Sequence, residues 1–174
     1  MTIDKTPLEG CYLISLLPKG DNRGWFMRSF CKKEFEAIGH TKEWVQMNHS
    51  YTSKKGTIRG MHQQIAPYAE IKLVRCIAGS VYDVVIDVRK DSPTYLQWFG
   101  CELSATNKQM IYIPEGFAHG FQTLTDDVEL LYHHSEFYQP GYESGIMYND
   151  PKIKVVWPLA LTEISERDLN HKPL

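Results

Sequence analysis

Short runs of apolar and β-branched residues, broken by turn residues every ten or so positions, dominate the chain. Leu73-Val74-Arg75-Cys76-Ile77 and positions 81–88 are two such runs. They are joined by Ala78-Gly79-Ser80, which reads as a hairpin turn. Asp91-Ser92-Pro93 marks the next turn, and positions 98–103 the next strand. Positions 109–113 form another, stopped by Pro114-Glu115-Gly116; further strands are predicted at 120–124 and 128–135. Helix is scarce. Positions 32–38, ended by Gly39, make one short candidate, and Ser165-Glu166-Arg167-Asp168 has the spacing of a capped helix start. Positions 140–158 are rich in loop residues. The pattern predicts an all-β sandwich, jelly roll or barrel with a few short helices, in one domain over 1–174.

Strand parity sorts the side chains. Lys72, Val74 and Cys76 share one face, Leu73, Arg75 and Ile77 the other, and Leu130, Tyr132 and His134 share a face. In Gly56-Thr57-Ile58-Arg59-Gly60-Met61-His62 a regular strand would put Arg59 and His62 on opposite faces. A bulge at Gly60 would bring both to one pocket.

Composition narrows the class. The chain has 174 residues, 43% hydrophobic and 23% charged, enough for a sizeable core. A net charge of −2 gives no electrostatic reason to expect nucleic acid as a partner. No apolar run approaches a membrane span and the N-terminus lacks a signal-peptide pattern, so the cytoplasm is the expected compartment. Cys11, Cys31, Cys76 and Cys101 form no Cys-x-x-Cys pair, which argues against zinc ribbons and redox motifs. Cys76 and Cys101 read as small buried hydrophobes.

His62 and Tyr132 are the candidate chemistry. An imidazole takes a proton near neutral pH, and a phenol can deliver one from the other side of a substrate. With the cation Arg59 nearby, that set suits racemisation or epimerisation at an acidic carbon. A metal site of the jelly-roll kind would offer a His-x-His pair, but His62 is followed by Gln63 and Gln64, so no metal is expected. Each residue also has a structural reading. His62 could be a hydrogen-bonded strand histidine, Tyr132 a core tyrosine, Lys72 and Arg59 surface charges. Asp168 could complete a cap with Ser165, and Asp83 and Asp87 could be solvated strand positions.

Taken in order, several strings resemble the dTDP-4-dehydrorhamnose 3,5-epimerase family. They are Asp21-Asn22-Arg23-Gly24-Trp25-Phe26, Gln46-Met47-Asn48-His49-Ser50, Ile58-Arg59-Gly60-Met61-His62 and Lys72-Leu73-Val74-Arg75. Val81-Tyr82-Asp83-Val84-Val85-Ile86-Asp87, Ile113-Pro114-Glu115-Gly116-Phe117-Ala118-His119-Gly120-Phe121 and Ile164-Ser165-Glu166-Arg167-Asp168 continue the match. The resemblance implies a cofactor-free and metal-free jelly roll of the cupin kind (a double-stranded β-helix), forming a homodimer and acting on a nucleotide sugar. It implies His62 as general base, Asp168 as the carboxylate that orients it and Tyr132 as general acid. Lys72, Arg59 and His119 would contact the sugar region. Arg23, Phe26, Gln46, Asn48, Tyr138 and Glu143 would hold the nucleotide or diphosphate, Arg23 and Phe26 from the neighbouring subunit.

The implied reaction is inversion at C3, C5 or both of a nucleoside-diphosphate-4-keto-6-deoxyhexose. The chain departs from the family at Arg28 (usually Glu), Met47 (usually acidic), Gln63 (usually Phe or Tyr), His133 (usually Lys) and Met147-Tyr148 (a common Arg-Trp pair). These departures suggest a changed binding wall around an intact proton-transfer set. Arg28 facing the base would favour a CDP-linked sugar, since cytosine offers an acceptor where thymine offers a donor. A mono-epimerase on such a sugar, and a non-catalytic sugar-nucleotide binder, are the alternatives.

Overall fold

Alternating inward residues bury themselves between two facing antiparallel sheets in the computed structural model, which describes residues 1–174. One sheet has six strands in the order β1 (Thr2–Lys5), β2 (Tyr12–Ser15), β10 (Gln109–Ile113), β7 (Lys72–Ala78), β12 (Val128–His134) and β5 (Gln46–Thr52). The other has five, in the order β13 (Glu143–Gly145), β6 (Ile58–Gln64), β11 (Phe117–Thr123), β8 (Ser80–Asp87) and β9 (Trp98–Ser104). A separate hairpin pairs β3 (Lys19–Asp21) with β4 (Gly24–Phe26). Two short helices, α1 (Lys32–Glu36) and α2 (Glu166–Leu169), complete the jelly roll.

Val74, Cys76, Val85, Ile111, Phe121 and Leu130 fill the space between the sheets. Part of each outer face is buried too. Phe35 of α1 covers Leu73 and Met110 on one sheet, and Ile146 and Ile153 cover Met61, Ile86 and Ala118 on the other. A sheet covered on both faces needs apolar residues on both, which is why 81–88 reads as a nearly continuous apolar run.

The expected strands at 98–103, 109–113 and 128–135 match β9, β10 and β12 closely. The expected hairpin at Ala78-Gly79-Ser80 is corrected. β7 lies in the six-stranded sheet and β8 in the five-stranded one, so the turn is a corner between sheets. Gly79 has φ +69°, and a Cβ there would sit 2.5 Å from Thr125 Oγ1. The same turn chemistry serves a hairpin or a corner; only the partners of the flanking strands decide. Asp83 and Asp87 are also corrected. Both face the closed interior and have no solvent exposure.

The two ends of the interior differ. Tyr132 opposes Asn48 on one side and Val74 on the other, and His134 opposes Gln46 and Lys72. Residues directly opposite share a face, so this row makes one end of the interior polar while Leu130 and Cys76 keep the other apolar.

Candidate active site

A β-bulge creates the first wall of the site. On β11, His119 and Phe121 are two residues apart; their partners His62 and Arg59 on β6 are three apart. The extra residue resets the parity, and Arg59 and His62 both line one cavity of about 270 Å3, as a bulge at Gly60 predicts. Gly60 has φ +130°, and a Cβ there would meet the Gly120 Cα at 2.6 Å. Only glycine lets β6 and β11 approach this closely.

Asp168 lies behind His62. The Ser165 hydroxyl accepts the Asp168 N–H at 3.1 Å and starts α2. This leaves the Asp168 carboxylate free of the cap. Its Oδ1 lies 2.6 Å from His62 Nε2, and its Oδ2 accepts the Gly60 N–H at 3.0 Å. Burial opposes ionisation of Asp168, but the bonds from His62 and Gly60 hold its carboxyl below the usual range. Donation from Nε2 leaves Nδ1 as the basic nitrogen of His62.

Tyr132 reaches the same cavity from the other sheet. Its hydroxyl bonds the Ser50 hydroxyl at 3.1 Å. Burial pushes the phenol well above its ordinary value, with the Ser50 bond opposing only in part, so the group carries its proton at neutral pH. His119 sits between the two walls, its Nε2 2.8 Å from Asp83 Oδ2 and its ring 6.4 Å from that of Tyr132. Lys72 lines the cavity with its ammonium 3.1 Å from Glu70.

A larger open groove of about 830 Å3 adjoins His62 and carries Arg59 and Arg167. Arg59 donates to the Tyr51 carbonyl at 3.0 Å, and Arg167 pairs with Glu143 at 2.8 Å. At the rim Gln46 donates to Asn48 and accepts the Tyr138 N–H. The site thus joins a small cavity to a larger groove that carries two arginines.

Six of the expected binding residues do not line the cavity. Gln46, Tyr138 and Glu143 stand beside it, bonded to Asn48, Gln46 and Arg167 respectively. Arg23, Phe26 and Arg28 lie away from it within this chain. Arg23 pairs with Asp21 on the β3–β4 hairpin, Phe26 is 78% exposed beside it, and Arg28 is held by Glu34 at 2.8 Å. The expected change of the binding wall is narrowed as well. Met47 and His133 oppose each other on the outer face of their sheet, one residue out of phase with Asn48 and Tyr132. Gln63 is likewise out of phase with His62 and lines a separate outer cleft.

The site also contains residues that sequence reasoning missed: Ser50, Glu70, Asp83, His134, Arg167 and His171. Arg167 was visible beside Asp168, and His134 by its parity with Tyr132. Nothing local marks Glu70 or His171. The His171 ring lies 5.8 Å from that of His62, and burial, with the His62 charge adding, pushes it below its ordinary value. His62, Asp168 and His171 each bring a ligand atom within 4.8 Å of the others. An ion there would have to replace the His62–Asp168 hydrogen bond, so the donor set fits a proton-transfer dyad better than a metal site. Two of the thiols are unreactive by burial, which pushes Cys11 up to about 12 and Cys76 to about 11.

The family model described as dTDP-4-dehydrorhamnose 3,5-epimerase matches residues 5–174. A protein of Shigella flexneri with that name is 46% identical over 171 residues, 98% of this chain and 94% of its own length. The crystal structure of a Bacillus anthracis dTDP-4-dehydrorhamnose 3,5-epimerase with TDP and PPi bound superposes with a TM-score of 0.96. It is 39% identical, covering 99% of each chain. A Legionella pneumophila dTDP-6-deoxy-D-glucose-3,5-epimerase in complex with dTDP-4-keto-L-rhamnose superposes at 0.93, with 39% identity over 99% of this chain and 92% of its own.

Proposed function

We propose that this chain, which belongs to the dTDP-4-dehydrorhamnose 3,5-epimerase family, inverts C3 and C5 of dTDP-4-dehydro-6-deoxyglucose to give dTDP-4-dehydrorhamnose. The observation that carries the reading is the sharing of one cavity by His62 and Tyr132, with His62 oriented by a buried carboxylate. The C4 ketone acidifies the hydrogens on C3 and C5. His62 takes one of them, and the electron pair left on carbon moves to the C4 oxygen. Lys72 stabilises that oxyanion as a fixed positive charge. Tyr132 then gives its proton to the opposite face of the same carbon. Solvent takes the proton from His62 and restores the one on Tyr132.

Asp168 holds the His62 tautomer and stabilises its charged form, as a carboxylate does in other histidine-based sites. Arg59 and Arg167 line the groove where the anionic diphosphate would lie. Gln46, Asn48, Tyr138 and Glu143 form the nucleotide side, and His119 contacts the sugar. The steps exchange protons with no net change in oxidation state. His62, Lys72 and Tyr132 supply every charge and proton role, so we assign neither metal nor cofactor.

A homodimer completes the site in this reading. Trp25 and Phe26 are 57% and 78% exposed on a small hairpin that also carries Arg23, an apolar and cationic tip suited to a nucleotide in a second copy's groove. Arg28 follows on the same segment. No helix is long and apolar enough to cross a membrane. The four free cysteines suit a reducing compartment, and we assign the enzyme to the cytoplasm.

The test is turnover of dTDP-4-dehydro-6-deoxyglucose in deuterated water, read by mass and NMR. Deuterium at both C3 and C5 is expected. Label at C3 alone would make the enzyme a mono-epimerase, and no label would refute the assignment. The same run after dialysis against a chelator should give an unchanged rate.

A further inference from the structure

We propose that Glu70 and His134 are positioning residues that hold the Lys72 ammonium where the C4 oxyanion develops; this rests on the epimerase reading above. Glu70 precedes β7 and has no part in the cavity lining, so it can act only through its neighbours. Its Oε1 lies 3.1 Å from Lys72 Nζ and its Oε2 2.7 Å from His134 Nδ1. All three side chains are nearly closed to solvent, at 10–12% exposure. A lysine ends a flexible four-carbon stem, so a fixed ammonium needs a fixed partner. His134 fixes that partner by taking the second carboxylate oxygen.

The hydrogen bonds run in one consistent direction. The Tyr138 N–H donates to Gln46 Oε1, and Gln46 Nε2 donates to Asn48 Oδ1. Asn48 Nδ2 lies 3.3 Å from His134 Nε2, which accepts when Nδ1 carries the proton and donates to Glu70. The His134 ring also lies nearly parallel to that of Tyr132, at 6.2 Å and 23°. A chain of partners therefore links Lys72 to Gln46, Asn48 and Tyr138, the residues assigned to the nucleotide side. Binding there would tighten the lysine at the reacting carbon, a use of remote contacts to raise kcat. Burial opposes ionisation of Glu70, but His134 and Lys72 hold its carboxyl below the usual range. Arg59, His62 and His119 share the cavity with Lys72, with Asp168 and Asp83 behind the two histidines.

Glu70→Gln keeps the shape and removes the charge. Expected is a fall in kcat of about tenfold or more, short of the 10²–10³ typical of losing an oxyanion donor outright. KM and dTDP binding should stay within about threefold, since no ligand-facing group is removed. His134→Phe keeps the ring against Tyr132 and should cost less in the same direction. The double variant should be no worse than Glu70→Gln alone, because both act through one network. In the resting protein, acetic anhydride should label Lys72 severalfold faster in either variant, read by peptide mapping. Multiplicative losses in the double variant, or wild-type labelling of Lys72 in both single variants, would overturn the tether. Failure of the wild-type enzyme to exchange deuterium would overturn the epimerase reading instead, and the labelling rates would still decide the tether.

Discussion

His62 Nε2 lies 2.6 Å from Oδ1 of Asp168, a residue 106 positions further along the chain. The other oxygen of the same carboxylate takes the N–H of Gly60, the glycine of the bulge that turns His62 into the cavity. One buried side chain therefore sets both the tautomer of the base and the backbone that aims it.

That double duty makes Asp168→Asn nearly as damaging as loss of His62. The Gly60 N–H requires an acceptor, so the asparagine oxygen would turn to it and the amide NH2 would face His62. Nε2 would then accept, Nδ1 would carry the proton, and no basic nitrogen would remain. We expect kcat to fall by roughly 10²–10⁴, with dTDP affinity preserved. His62→Asn should abolish exchange at C3 and C5, also with dTDP affinity preserved. Isothermal titration and deuterium wash-in measure the two properties separately. An Asp168→Asn enzyme within tenfold of wild type would rule out this tautomer argument.

Tyr132→Phe should separate exchange from inversion. Removing the phenol leaves His62, Asp168 and Lys72 in place, so the oxyanion still forms and is reprotonated mainly from the His62 side. Wash-in with retained configuration should persist while net inversion falls by about 10²-fold or more. The partly buried ring loses only its bond to Ser50, so folding should survive. Unchanged inversion would mean that another group supplies the proton.

The legible parts of this molecule were those that local chemistry dictates. β10 is bracketed by turn residues and needs no partner to be recognised; the Ser165 cap and the Gly60 bulge follow from residue type and spacing. His62, Tyr132 and Arg59 stood out by residue chemistry alone. The roles of Lys72, Asp168, His119 and the nucleotide-side residues emerged only through resemblance, because the segments that carry them lie far apart in sequence. What stayed hidden was decided by pairing. The corner at Gly79 looks locally like a hairpin, and β5, mixed in polarity, gives no clean alternation. Asp83 and Asp87 look like solvated positions until the partners that bond their carboxylates, His119 and Arg89, are in place. Arg28 looked like a determinant of nucleotide choice, and within the chain it is tied to Glu34.

Asp87 gives a pH-dependent handle on stability. It is fully buried and accepts bonds from the Arg89 guanidinium, Ser92 and Thr94, which tie down the turn between β8 and β9. Burial alone would raise its pKa, but these partners hold it down to about 2, from an ordinary 3.8. A carboxyl with a depressed folded pKa stabilises the fold above its unfolded pKa. That contribution, about 2 kcal/mol, is present at neutral pH and lost as pH falls from about 4 through about 2. Urea unfolding at pH 6, 4 and 2.5 should show Asp87→Asn less stable at pH 6 and less sensitive to acid than wild type. Equal acid sensitivity of the two proteins would show that Asp87 is not the group responsible.

Arg23 and Phe26 provide the sharpest test of the shared site. They stand on an exposed hairpin and line no part of the cavity that holds His62 and Tyr132. If they serve the nucleotide of a second copy, each site combines His62 from one subunit with the hairpin from the other. A His62→Asn protein and an Arg23→Ala/Phe26→Ala protein should each be nearly inactive. Unfolding and refolding an equal mixture makes about half the dimers mixed, and each mixed dimer has one intact site of two. Activity should therefore return to roughly a quarter of the wild-type value per subunit. The second site of the mixed dimer carries both defects and adds nothing. If the hairpin instead served its own chain, every site in the mixture would keep one defect and no activity would return. The refolded mixture thus distinguishes a borrowed hairpin from a local one by a single rate measurement. Refolding each variant alone supplies the baseline.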